Sequence, residues 1–367
     1  MVKIIQFAIC FFFIAISSFS FAQDTGILTK EEQQFKDSIE ALNFDFELVQ
    51  KAKSAYNQGI TQFKNDNFSG AVESFNESVR LFPSFLNAYF NRGTSYLQLK
   101  DYKNAVADFS TVIDSNSSNS EAYFKRAEAY THLRGFDNAI ADYRSAAKLK
   151  PEDEKPYYNL GDVLFMKQDY ENAIKEFTKA INIKKDYAYA YNDRGSCYRR
   201  LGKYPAAIMD YQKAASLNPD LAFVYNNIGS TKKSMNDIAG SIAAYSKAIT
   251  VKPDFFLAYN NRGGIYFEQG KYAAALIDFE QAIKLNANYA PAYNNRGSVK
   301  HKQEKYKEAI ADYDKAIQMD PNYANAYINR GTAREMARDL DGACKDWKKA
   351  GELGSAQGVK YMMNNCN

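Results

Sequence analysis

Histidine occurs only twice in this chain of 367 residues, and tryptophan once. His132 and His301 stand far apart, and neither has cysteine or carboxylate neighbours at metal-ligand spacing, so no metal centre is expected. A phosphate-binding Gly-rich loop, a Gly-x-Ser-x-Gly elbow and a dinucleotide fingerprint are all missing, which removes the common routes to catalysis and cofactor binding. Neither sign of charge dominates: 47 Lys plus Arg face 43 Asp plus Glu, a net of +4, which makes no case for nucleic acid. No stretch rich in Gly, Ser and Pro interrupts the chain, so no flexible linker separates domains. The expectation is a protein that is not an enzyme and carries no cofactor.

The single long apolar run is at the start. Lys3 precedes Ile4 to Ile16, and Ser20-Phe21-Ala22 then places small residues where a signal peptidase reads. The run is short for a membrane span, which needs about 20 apolar residues. Residues 1–22 are therefore expected to be a signal peptide, cleaved after Ala22, with a membrane attachment only if that segment stays uncleaved. Export would place the protein in the periplasm or cell envelope, or outside the cell.

Beyond residue 50 the chain is periodic. Glycine returns every 34 residues at Gly59, Gly93, Gly161, Gly195, Gly229, Gly263, Gly297 and Gly331, and the one gap holds Ala127. With that glycine as position 8, nine repeats run without insertion: 52–85, 86–119, 120–153, 154–187, 188–221, 222–255, 256–289, 290–323 and 324–357. Position 4 is tyrosine from Tyr89 to Tyr327, position 20 is alanine except Ser241, and position 24 is always aromatic, ending in Trp347. Position 27 is small from Ala146 to Ala350, and Pro83, Pro151, Pro219, Pro253 and Pro321 close repeats. A period of 34 marks a solenoid of helical hairpins. Two helices cross closely only where both lack bulk, which is the role of Gly at 8 and Ala at 20. Proline then disfavours helix in the residue before it.

On these residues, over about five-sixths of its length, the chain resembles the tetratricopeptide repeat (TPR) family. The resemblance implies an all-α fold, a right-handed superhelical solenoid of helix-turn-helix repeats. A C-terminal capping helix over 358–367 would close it, and 23–51 would be a leader that either covers the first repeat as a helix or stays without structure. The array is expected to be one elongated domain. It also implies a scaffold that binds proteins or peptides.

One departure from the family pattern has an internal explanation. Position 7 is arginine in six repeats (Arg92, Arg126, Arg194, Arg262, Arg296, Arg330), and the same six have aspartate at 23 (Asp108, Asp142, Asp210, Asp278, Asp312, Asp346). Repeats lacking one lack the other, which predicts an ion pair bracing each hairpin.

The resemblance places positions 2, 5, 6, 9, 12 and 13 on the inner face. Position 6 is asparagine at Asn57, Asn91, Asn159, Asn227, Asn261, Asn295 and Asn329, and position 5 adds Asn192, Asn226, Asn260 and Asn294. This looks like the asparagine ladder with which some superhelices of the family hold an extended peptide backbone. A carboxamide offers each peptide unit both a donor and an acceptor. Tyr189 and Phe223 at position 2, with Arg199, Arg200 and Lys233 at 12 and 13, suggest an acidic and aromatic segment centred on repeats five to eight. The lysine of the family's carboxylate clamp is replaced by Tyr56, Phe90 and Phe124 at position 5, so that mode is not expected.

Cys344 lies on the second helix of the last repeat, and an amphipathic segment from Ala356 to Asn365 follows it. Folding back antiparallel brings Cys366 level with Cys344, and an oxidising compartment favours a disulfide there. The functional expectation is an exported scaffold that holds an extended segment of a partner protein in its groove. Glycan or cell-wall binding, or a convex-face role as accessory subunit of an envelope complex, are the alternatives. Partner identity and oligomeric state are not legible.

Overall fold

The computed structural model describes residues 30–366; the expected signal peptide lies outside the described residues. Nineteen helices and no strand occur among them. Two compact units divide between Leu133 and Arg134, inside the third repeat, where the sequence shows an unbroken array.

The first unit holds α1 (Lys30–Lys64), α2 (Phe68–Leu81), α3 (Leu86–Gln98), α4 (Tyr102–Ser115) and α5 (Ser120–His132). The second opens with α6 (Phe136–Leu149), followed by the hairpin α7 (Glu154–Met166) and α8 (Tyr170–Ile183). Next come α9 (Ala188–Arg200) with α10 (Tyr204–Leu217), then α11 (Ala222–Ser234) with α12 (Ile238–Val251). The pairs α13 (Phe256–Glu268) with α14 (Tyr272–Leu285) and α15 (Ala290–Lys302) with α16 (Tyr306–Met319) continue the array. It ends with α17 (Ala324–Met336), α18 (Leu340–Glu352) and the cap α19 (Ala356–Asn365).

Within each hairpin the crossing is set by the repeat's smallest residues. A methyl group added at Gly59 would come within 2.6 Å of the Phe75 ring, and one at Gly229 within 2.6 Å of Tyr245. The aromatic at position 24 thus occupies the room that glycine at position 8 leaves, and rings such as Phe75, Phe177, Tyr211 and Trp347 are buried. Each second helix except α18 stops on a residue of extended φ. Lys150, Asn218, Lys252 and Asp320 do so before proline, but Asn116, Lys184 and Asn286 do so with no proline after them. Proline is therefore not required for the stop; Asn116 and Asn286 instead accept at Oδ1 from the backbone N–H two residues on.

Helix α1 departs from the expectation of a leader that covers the first repeat. It runs unbroken for 35 residues. No glycine or proline lies between Lys30 and Gln58, so nothing turns the chain back, and the leader simply prolongs the first repeat's first helix. At the other end, α19 folds onto α18. Trp347 meets Tyr361 at 5.5 Å between ring centroids, and Cys344 and Cys366 are joined in a disulfide with Cα atoms 5.7 Å apart. Cys197 is a buried free thiol, its pKa pushed up to about 12 by burial.

The arginine–aspartate braces are present in all five repeats where both partners lie in one unit. Arg262 Nη2 donates to Asp278 at 2.8 Å and Nε donates to the second oxygen at 2.9 Å; Arg92, Arg194, Arg296 and Arg330 make the same fork with Asp108, Asp210, Asp312 and Asp346. The aspartates are buried. A third contact ties repeats together, because Nη1 reaches position 25 of the preceding repeat. Arg92 finds Asn76, Arg126 Ser110, Arg194 Thr178, Arg262 Ser246 and Arg330 Asp314. The sequence carries this signal too. Position 25 is an acceptor before every repeat with the arginine, and is Arg144, which can only donate, before Leu160, although Gln212 before Ile228 could accept.

Candidate functional site

Successive first helices touch one another, α7 to α9, α9 to α11 and on to α17 with α19, whereas no comparable contact joins successive second helices. The face built from first helices is therefore the closer-spaced one, and it presents positions 5, 6, 9 and 12.

The asparagines on this face bind each other. In repeats six to nine the position-6 amide donates to the position-5 amide of the repeat before. Asn227 bonds Asn192 at 3.0 Å, while Asn261 to Asn226, Asn295 to Asn260 and Asn329 to Asn294 are each 2.9 Å. Asn192, Asn260 and Asn294 are only 5–7% exposed. This corrects the expectation that position 5 doubles the amide density open to a ligand: those side chains are wall struts, because a buried amide needs a partner and the next repeat supplies it. Asn226 is half-buried, as are the position-6 residues Asn91, Asn159, Asn227, Asn261, Asn295 and Asn329. With one N–H committed, a position-6 amide keeps acceptor and donor capacity on the face of the first helices. In the first unit Asn91 donates to the Tyr56 hydroxyl at 2.8 Å; in the second, Asn159 turns to its own helix, donating to the Lys155 carbonyl.

One junction replaces amides by carboxyls. Position 6 of the fifth repeat is Asp193, which accepts from the Tyr158 hydroxyl at 2.7 Å and from Asn192 at 2.9 Å. Asp162 stands at position 9 of α7. Burial, with Asp193 adding to it, raises its pKa to about 8, and burial raises Asp193 as well.

Two depressions open on this face in the late repeats. One, of about 250 Å³, is lined among others by Lys233, Asn261, Gly264, Glu268 and Asn295. The other, of about 270 Å³, includes His301, Lys302, Asn329, Thr332 and, from the cap, Gln357 and Tyr361. Phe267 and Ser298 line both, so the two are contiguous across α13, α15 and α17. Nε2 of His301 is buried with no hydrogen-bond partner, and burial lowers this imidazole's pKa, with Lys302 adding to the effect. The depressions therefore span repeats six to nine and the cap, displaced toward the C-terminus from the expected centre.

The remaining expected residues are spread out. Tyr189 is 47% exposed and stacks on half-buried Phe223 with centroids 6.0 Å apart, forming a small aromatic platform outside both depressions. Arg200 is exposed and Arg199 half-buried. Lys233 is tied to Glu268 at 2.7 Å, so its charge is already balanced on the protein itself. Gly264, Ser298 and Thr332 at position 9 and Phe267 at position 12 follow the inward-facing rule without having been singled out. Gln357, the last residue of the ninth repeat, and Tyr361 beyond it both lie on the cap helix, which has no counterpart in the other repeats. Among the described residues no group of three or more His, Cys, Asp or Glu is placed to hold a metal ion, and no helix is long and apolar enough to cross a membrane.

Comparison with known proteins agrees with this architecture. Tetratricopeptide repeat profiles match residues 56–119, 188–221, 290–323 and 312–345, and TPR repeat profiles match 136–168, 161–198, 229–270 and 263–304. No curated protein matches the chain by sequence. Among solved structures, a chain of the APC/C hetero-tetramer Cut9–Hcn1 is similar at 15% identity and a TM-score of 0.52, covering 72% of this chain. This chain spans about half of that one, 52%. Pseudomonas aeruginosa pilF is similar at 21% identity and a TM-score of 0.51, over 57% of this chain and 96% of its own. The MamA protein shares 29% identity over 47% of this chain and 94% of its own, at a TM-score of 0.40.

Proposed function

Since the chain belongs to the tetratricopeptide repeat family, a family of protein-binding scaffolds, we propose that it holds an extended segment of a partner protein in the groove of repeats six to nine. The observation that carries this reading is the pair of contiguous depressions floored by Phe267 and Ser298, edged by the outer halves of Asn261, Asn295 and Asn329. An extended backbone presents a donor and an acceptor at each residue, which matches a row of half-committed amides. The buried, unpartnered His301 Nε2 is a polar group for which a ligand atom would be the natural partner. Export is part of the proposal and rests on the sequence of residues 1–22; an intact mass beginning at Gln23 would support it, and one beginning at Met1 would oppose it.

Alanine variants of the asparagines would confound binding with stability, because the same amides join the repeats. Gly264 gives a cleaner test. A Cβ there meets nothing within 4 Å, so Gly264→Trp can fill the first depression without a backbone clash. Extended peptides selected from a random display library by the wild-type protein should lose binding about 100-fold in this variant while its melting temperature holds or rises. Unchanged binding, or selection of no peptide at all, would refute the groove assignment. An array of glycans probed with the same two proteins separates peptide from sugar.

A further inference from the structure

The outer part of α1, residues 30–50, projects beyond the first repeat, and described side chains from Gln33 to Phe46 are all exposed. Phe35, Ile39, Leu42, Phe46 and Val49 recur along it at spacings of four, three, four and three. These are successive a and d positions of a heptad, whose mean period of 3.5 residues keeps one seam facing a partner helix. The first four are 48%, 39%, 59% and 63% exposed, and Val49 is half-buried where the helix enters the repeats. The ion pairs Lys36–Glu40 and Glu47–Lys51, each 3.9 Å, run along the helix and leave the stripe open.

We propose that this seam pairs with the same seam of a second copy, making a short two-stranded coiled coil that dimerises the protein. A heptad seam is complementary to itself. Its flanks carry Lys36, Asn43 and Gln50 on one side and Ser38 and Asp45 on the other, one charge of each sign, so no block of like charge opposes self-pairing. Fifteen residues of helix make a seam about 22 Å long. Burying its exposed side chains and the flanking stems on two copies removes roughly 1,100 Å² from water, at the lower edge of what a specific interface needs. A bilayer surface is a poorer occupant, because Asp37, Glu40, Asp45 and Glu47 make the rest of this segment acidic and would repel anionic lipid.

Sedimentation velocity of the full exported chain over about 1–100 µM tests this, since a seam of this size should give micromolar dimers. A concentration-dependent dimer is expected for the wild type. Leu42→Glu with Phe46→Glu should weaken it at least about 100-fold and leave helicity and melting temperature intact, as both side chains are exposed in the monomer. Phe44, 62% exposed but off the seam, supplies the control. Phe44→Glu should leave the dimer in place. A wild type that stays monomeric overturns the proposal. So does a dimer that survives the double substitution, or one that Phe44→Glu dissociates equally.

Discussion

The junction between repeats four and five and the junctions between repeats seven, eight and nine use the same two positions with different chemistry. In the late junctions an amide at position 6 donates to an amide at position 5. In the early one the direction reverses, because Asp193 can only accept when ionised and Tyr158 supplies the proton. Amides hold at any ordinary pH. Buried carboxyls do not, since ionising them without a cation costs free energy. One backbone arrangement thus tolerates a neutral strut and a titrating one, and only the second links the stability of the array to pH.

The largest expected effect comes from a feature that both kinds of junction share, and it tests whether the braces are insensitive to the difference. Asp278→Ala strands a largely buried guanidinium and should cost about 3–5 kcal/mol. Arg262→Met combined with Asp278→Leu removes both charges and should cost far less. Equal losses by calorimetry would show that the pair is not a buried brace.

The second prediction addresses the comparison directly. Asp162 in the folded protein titrates near 8, above its ordinary value of 3.8, so the stability it contributes is complete below about pH 4. That contribution is lost as pH rises through about 8, and it amounts to a few kcal/mol at most, on the order of what such a shift allows. Hydrogen exchange should show α7 and α9 loosening over this range while α15 and α17 do not. Asp162→Asn should flatten the profile; an unchanged slope would move the effect to other groups.

Third, Cys366→Ser should weaken the cap by about 2–3 kcal/mol, seen as faster exchange in α18 and α19 with little change in α7. The smallest effect concerns the turn inside the early hairpin. Gln168 adopts a left-handed φ of 63° where Gly202 and Gly270 do so without penalty, so Gln168→Gly should stabilise α7 against α8 by about 1 kcal/mol. Denaturant titration that shows a loss would mean that the Gln168 side chain makes a contact worth more than the turn strain.

Much of the fold was legible because each repeat announces the same contacts at the same offsets. Gly229 against Tyr245, or Arg262 against Asp278, is a short-range pairing within one hairpin, and nine copies expose its pattern. The candidate site was legible only in outline. Position 6 falls on the first helices, but Asn260, read as a ligand group, is a strut, and Lys233, read as part of a basic patch, is paired with Glu268. Both partners lie 35 residues away, one period plus one, and a period shared by every position hides which neighbour meets which.

What the sequence determined by itself is the hairpin, its crossing and its brace, because steric fit between small and aromatic residues and charge pairing act over a few side chains of one repeat. What only the tertiary structure decided is everything set by stacking: the Nη1 tie from Arg330 back to Asp314, the buried amide row, the two depressions beside the cap, and a first helix that runs on past its repeat. These depend on where one hairpin comes to rest against the next. Packing at close-packed density fixes that to fractions of an ångström, finer than a repeating pattern of residue types can specify.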